Sequence, residues 1–398
     1  MRGGRARALI GAAVVLALAG WAESAAAAPS FRAPAAVVLE RDLGVRILSR
    51  RADAEVPVAS TTKLMTAYVA LRRARLDRVI TVAPYTATGA ETVAGLHAGE
   101  RLSVGDVLKA MLLPSGGDAA HTLAVDLAGS TGRFVGAMNA AAARLHLDGT
   151  HFTTEVGLDT PGNHSTASDL ARLTAILLGD PFFARTVARP RAQLANGLVV
   201  VNRNRLVGTL SFVVGVKTGH TRAAGYCLVG AARRDGATVI SVVLGDPSEA
   251  TRDADTLTLL RYGLSLFHGV TAVRRGHVYA RVAVDGRPGE RVALVAARSL
   301  AVVVRRGAPF SVYPTNVAEL ARGPLPSGSR LGELAVKRDG RVVARVDLVT
   351  RSPLAAPATA ASAGRRIVLA GGLVGGVLVL VGCSLSLMRK RRAGRGER

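Results

Sequence analysis

Cysteine is almost missing: 398 residues contain two, Cys227 and Cys383. Cys383 lies in a long apolar run near the end of the chain and Cys227 in a shorter, strand-like one, so a disulfide between them is not geometrically plausible. The fold must rest on its core and not on cross-links. No spacing of Cys and His suggests a zinc site, and neither a metal nor another cofactor is expected. Aromatics are scarce, at 4% with a single Trp, and acidic residues number 28 against 52 Lys and Arg. The resulting charge of +24 would suit a nucleic acid if the cations were clustered with interleaved aromatics. Arg is instead spread through the chain without a finger motif, so nucleic-acid binding is set aside. A long-range attraction to anionic polymers or lipid head groups is the preferred reading.

What the chain does have is hydrophobic residues, 49% of the total, carried by Ala, Val and Leu. That composition is globular, and the length exceeds what one hydrophobic core serves, so a main domain plus a smaller one is expected. The two ends set the compartment. Arg2, Arg5 and Arg7 precede an apolar run from Ala8 to Ala22 and an Ala-rich stretch before Pro29. This pattern reads as a secretory signal peptide over residues 1–27, the alternative being an uncleaved anchor. Ile367 to Met388 is uncharged and long enough to cross a bilayer at about 1.5 Å per residue. The basic tail after it, residues 389–398, keeps that end cytoplasmic under the positive-inside rule and puts everything upstream outside.

Between the ends the hydrophobic period changes along the chain. Alternation from Ala35 to Ser49 around Asp42-Leu43-Gly44 predicts a β-hairpin. From Ser60 to about Leu76 the spacing is helical, with Ser60 opening the helix. A helical region from Val104 to Ala128 is broken by the turn Pro114-Ser115-Gly116-Gly117, and helices follow at Gly132–Leu145 and Ala167–Leu178. Three β-rich runs, Phe212–Lys217, Gly225–Arg233 and Thr238–Leu244, read as a meander, with a helix over Ala254–Phe267 packed on it. Strands at both ends with helices between predict an α/β (α+β) sandwich over residues 33–268, an antiparallel sheet flanked by helices. Residues 272–351, rich in Val and Arg, read as a small all-β domain, and residues 352–366 as a linker.

Three short stretches carry chemistry. Ser60-Thr61-Thr62-Lys63 sets a hydroxyl at the first turn of a helix and an amine three residues on, on one face. A lysine can take the serine proton once desolvation or a neighbouring cation lowers its pKa, and the helix start favours an oxyanion. Ser115, on the turn, is placed to relay a proton. Lys217-Thr218-Gly219 joins a cation and a hydroxyl at a strand edge, suited to a carboxylate, with Gly219 leaving room for an extended peptide. Each alone has a bland reading, as a helix cap, a turn serine and a polar strand end. Their order and separation are much harder to obtain by accident.

Ala59-Ser60-Thr61-Thr62-Lys63-Leu64-Met65-Thr66-Ala67, Leu113-Pro114-Ser115-Gly116 and Val216-Lys217-Thr218-Gly219-His220-Thr221 resemble the three motifs of penicillin-recognising serine enzymes, specifically the low-molecular-mass D-Ala-D-Ala carboxypeptidases. The likeness covers about Ala35 to Phe267 and extends, less specifically, through Gly328 to Arg341. It implies a penicillin-binding/β-lactamase-like domain, peptidoglycan stem peptides as substrate and β-lactams as acylating inhibitors. It also implies Ser60 as nucleophile, Lys63 as base and Ser115 as proton relay. Lys217, Thr218 and Arg203 would hold the terminal carboxylate, with the backbone N–H groups of Ser60 and His220 at the oxyanion. One position departs from the pattern, since Gly117 stands where the second motif ends in Asn. A β-lactamase-like hydrolase and a catalytically weakened wall-binding module are the competing readings.

Overall fold

The computed structural model describes residues 28–88 and 91–356. The first strands, β1 (Ala35–Glu40) and β2 (Val45–Arg50), form the expected hairpin, its turn closing at Gly44 with φ 64°. A 3₁₀ turn over Ala59–Thr62 then leads into α1 (Lys63–Arg73). Ser60 therefore sits one turn before the α-helix and not on it. A short hairpin, β3 (Val79–Thr81) with β4 (Arg101–Ser103), precedes α2 (Val104–Leu112), α3 (Gly117–Ala128) and α4 (Thr131–Arg144).

Next come α5 (Ala167–Leu177), α6 (Pro181–Val187) and the hairpin β5 (Arg191–Gln193) with β6 (Val199–Val201). The meander follows as β7 (Val213–Thr221), β8 (Gly225–Arg234) and β9 (Ala237–Asp246), and α7 (Glu249–Leu266) closes the domain. Side-chain oxygens start the helices where the chain supplies them. Ser103, Ser130, Thr166, Asp180 and Ser248 each accept a backbone N–H at the head of α2, α4, α5, α6 and α7, a bond whose loss costs about 1 kcal/mol.

The sheet runs β2-β1-β9-β8-β7, so the N-terminal hairpin joins the C-terminal meander in one sheet. Alternation in β1 predicts one buried face, yet Ala35, Ala36, Val37 and Val38 are all buried. The reason is layering. Val37, Val229, Ile240 and Val242 face a core shared with α1 to α5, whereas Ala36, Val38, Val239 and Val243 face Leu259, Leu260 and Leu264 of α7. Helix α7 lies so close that a Cβ on Gly263 would come within 2.5 Å of Val239 Cγ1.

The second unit is all β. Strand β10 (Phe267–Val273) continues from α7 without a loop and pairs with β13 (Leu300–Arg305). The others are β11 (Val278–Val284), β12 (Arg291–Ala296), β14 (Phe310–Thr315), β15 (Leu320–Ala321), β16 (Arg330–Arg338) and β17 (Arg341–Thr350). They form a sheet ordered β14-β16-β17-β12-β11-β15 over a core of Val284, Leu294, Leu334, Val336, Val346 and Leu348. Leu354 joins that core and pairs with Leu325, so the folded unit runs on past Arg351 into the first residues of the stretch read as linker. Among the described residues no helix is long and apolar enough to cross a membrane. The signal peptide (1–27), the rest of the linker, the transmembrane segment (367–388) and the basic tail (389–398) lie outside the described residues.

Candidate active site

Ser60 is held by an unusual turn. Ala59 has a left-handed φ of 51°, a conformation that costs a non-glycine residue of order 1 kcal/mol and is kept only where the surroundings enforce it. The enforcement comes from two sides. Gly157, at φ 87°, lies so close that a Cβ there would overlap the Ala59 carbonyl, and a Cβ on Gly219 would stand 2.9 Å from Val58 O and 3.3 Å from Ser60 N. Gly219 thus serves the packing of β7 against the Ser60 turn, a tighter role than leaving room for a peptide. On the opposite side Lys63 Nζ donates to Ser60 Oγ at 2.9 Å and to Val156 O at 2.8 Å. Thr66 Oγ1 donates to Glu155 O at 2.7 Å, tying the 155–157 segment to α1.

The other half of the site comes from β7 and the α2–α3 turn. Lys217 Nζ donates to Ser115 Oγ at 2.9 Å and to Thr218 O at 3.0 Å. Ser115, like Ala59, is left-handed, at φ 71°. β7 is the outer strand of the sheet, so its free edge faces the cleft. Thr221 Oγ1 and Ala223 N both donate to Asp159, at 2.5 and 3.0 Å, pinning the end of β7.

The two lysines are buried, at 3% and 1% exposure, and burial pushes both amines towards the free base. For Lys63 the carboxylates of Glu91, Glu155 and Asp118 oppose that push, leaving a pKa of about 8. For Lys217 desolvation is reinforced by Lys63, Arg203 and Arg252, and its pKa falls well below the usual value. Lys63 is therefore a base that titrates near neutrality. Lys217 lies in a field that a substrate anion would relieve.

A cleft of about 230 Å³ opens onto these groups. Ser60, Lys63, Ser115, Arg203, Thr218, Gly219 and His220 line it, and Lys217 reaches it through Ser115. Arg203 is anchored by Thr92 Oγ1 at 3.0 Å and by its own N–H on Leu113 O. The His220 ring is exposed and stacks on Tyr226 with centroids 4.0 Å apart, so its contribution at the Ser60 side is its backbone. Sequence reasoning missed Glu91, Thr92, Val156 and Arg252, which also line the cleft. They sit in segments without periodicity, apart from Arg252 near the start of α7. Among the described residues no cluster of His, Cys, Asp and Glu could hold a metal ion.

A serine, two buried lysines and a second serine meeting between a sheet edge and a helix cluster define a serine hydrolase of the Ser-x-x-Lys kind. A family model described as D-alanyl-D-alanine carboxypeptidase matches residues 22–248, and the chain belongs to that family. D-alanyl-D-alanine carboxypeptidase DacC of Escherichia coli is 32% identical over 343 residues, covering 82% of this chain and 86% of that protein. The D-alanyl-D-alanine carboxypeptidase of Streptomyces sp. (strain K15) is 33% identical over 261 residues, 60% of this chain and 89% of its own. Among solved structures, penicillin binding protein 6B from Escherichia coli aligns with a TM-score of 0.61 at 28% identity, covering 82% of this chain and 98% of that one.

Proposed function

We propose that this chain is a serine-type D-Ala-D-Ala carboxypeptidase that removes the C-terminal D-alanine from peptidoglycan stem peptides through an acyl-enzyme on Ser60. The observation that carries it is the 2.9 Å bond from the buried Lys63 amine to Ser60 Oγ. In its free-base form that amine can take the hydroxyl proton as Oγ attacks the carbonyl carbon of the penultimate D-Ala. The 3₁₀ turn at Ser60 and the adjoining β7 backbone at His220 offer N–H groups to the developing oxyanion. Collapse breaks the C–N bond, and the Ser115 hydroxyl, bonded to Lys217, is suited to relay the proton taken up by Lys63 to the departing amine, which returns Lys63 to its free-base form. Water then cleaves the ester with Lys63 again as base. Lys217, Thr218 and Arg203 would hold the free carboxylate of the terminal residue. β-Lactams, which also present an amide carbonyl beside a carboxylate, would acylate the same serine.

The basic, apolar and Ala-rich start of the sequence and the apolar run with its basic tail near the other end support an export signal followed by a wall-facing catalytic domain held to the membrane by one helix over 367–388, with residues 389–398 in the cytoplasm. Labelled penicillin tests the chemistry. The reading predicts a covalent adduct on the wild type that disappears in S60A, together with release of D-Ala from a D-Ala-D-Ala peptide that is lost in K63A. An equal signal in S60A would refute acylation at this residue. Unchanged D-Ala release in K63A would remove its base.

A further inference from the structure

The second motif lacks its amide, and the space is not empty. A Cβ on Gly117 would lie 2.9 Å from Tyr85 Oη and 3.3 Å from two carbons of the same ring, so the phenol occupies the room that a larger residue would need. Tyr85 Oη donates to Glu91 Oε1 at 2.5 Å, while Thr88 donates to Oε2 through its N–H and its hydroxyl, at 2.7 and 2.8 Å. The segment is fixed to the motif it adjoins. Gly117 N donates to Thr92 O at 2.7 Å, and the buried Asp118 carboxylate accepts from the N–H groups of Ala94, Gly95 and Leu96. The result is a carboxylate on the cleft wall, held by the phenol that fills the room at Gly117.

We propose that Glu91, with Tyr85 as its positioning residue, is the polar group this chain presents to its substrate in place of the second-motif amide. The inference deepens the carboxypeptidase reading and rests on it. Its consequence is a change from a neutral group to a negative one, and of hydrogen-bond role. An amide can donate to a substrate carbonyl, whereas a carboxylate only accepts. The pocket therefore favours acyl-D-Ala-D-Ala peptides that bring an N–H or an ammonium to this wall, above all those whose residue before the D-Ala pair has a free side-chain amine. Burial alone would push the Glu91 carboxyl up, but the bonds from Tyr85 and Thr88 outweigh it and hold the group below the ordinary carboxylate range, so it is ionised at neutral pH.

Two matched peptides, ending in Lys-D-Ala-D-Ala with the side-chain amine either free or acetylated, provide the test. The wild type should prefer the free amine by roughly three- to tenfold in kcat/KM, the range of a partly screened ion pair. E91Q, which keeps the shape and can still accept from Tyr85, should bring that ratio to about one. Y85F, which keeps the ring but frees the carboxylate, should lower it part of the way. A second readout is the acid limb of the rate. Lys63 is faced by Glu91 from this segment, Glu155 from the loop before Val156, Asp118 from α3 and Lys217 from β7. Removing one carboxylate lowers the Lys63 pKa, so the limb in E91Q should move to lower pH. If the wild type and E91Q show the same ratio and the same limb while both still form the penicillin adduct, the inference is overturned and the carboxypeptidase reading survives. If the wild type forms no adduct, the reading fails and the inference with it.

Discussion

Two lysines, both buried and each bonded to a serine hydroxyl, sit in opposite fields. Lys63 is surrounded by Glu91, Glu155 and Asp118 and titrates at about 8, while Lys217 is surrounded by Lys63, Arg203 and Arg252, which add to burial in pushing its amine well below the ordinary lysine value. Burial is common to both, so the difference is made by neighbours. An amine that gains and loses its proton near neutrality is fitted to act as a base. An amine starved of a counter-ion is fitted to receive one, and a substrate carboxylate entering beside Lys217 would supply it.

Breaking the Lys63 half should have the largest effect. K63A leaves Ser60 without a base and is expected to slow acylation at least about a thousandfold, measured as the rate of penicillin adduct formation. K217A should be next, losing about a hundredfold in kcat/KM for a substrate with a free C-terminal carboxylate and far less for its C-terminal amide. Equal losses on the two substrates would contradict the anion role. G219A sharpens the comparison by pushing β7 away from the Ser60 turn, since its Cβ would meet Val58 O at 2.9 Å. A drop of roughly tenfold in kcat is expected, because small misplacements of reacting groups are costly.

The smallest effect concerns stability. Asp246 is buried, and desolvation with the adjacent Asp255 carboxylate raises its pKa to about 7. A carboxyl whose folded pKa is raised contributes stability below the unfolded value and loses it as pH climbs through the folded one. The wild type should therefore lose stability relative to D246N between about pH 4 and pH 7, by on the order of 1–2 kcal/mol in denaturant midpoints compared across that range.

The sequence made the two lysines legible for different reasons. Ser60-x-x-Lys63 is local, so one helical turn brings amine to hydroxyl. Lys217 could be assigned to a strand edge by its apolar run, but its bond to Ser115, across 102 positions, follows only from the sheet order that sets β7 beside the α2–α3 turn. The hairpin, the meander and six of the seven helices were readable from period and turn signals. Helix α6 and the two small hairpins were not, because they span only seven and three residues. Least legible was the wall that shapes the Lys63 field. Tyr85, Glu91 and Glu155 lie in segments with neither period nor motif, and Gly117 announced a missing side chain without saying what fills its room.

The most direct test of the central claim is the pH dependence of Ser60 acylation by labelled penicillin. With Lys63 as the base, the rate should be low in acid and rise with a single deprotonation at about pH 8, a rise absent from the residual rate of K63A. A rate independent of pH from 5 to 9, or the same rise in K63A, would contradict it.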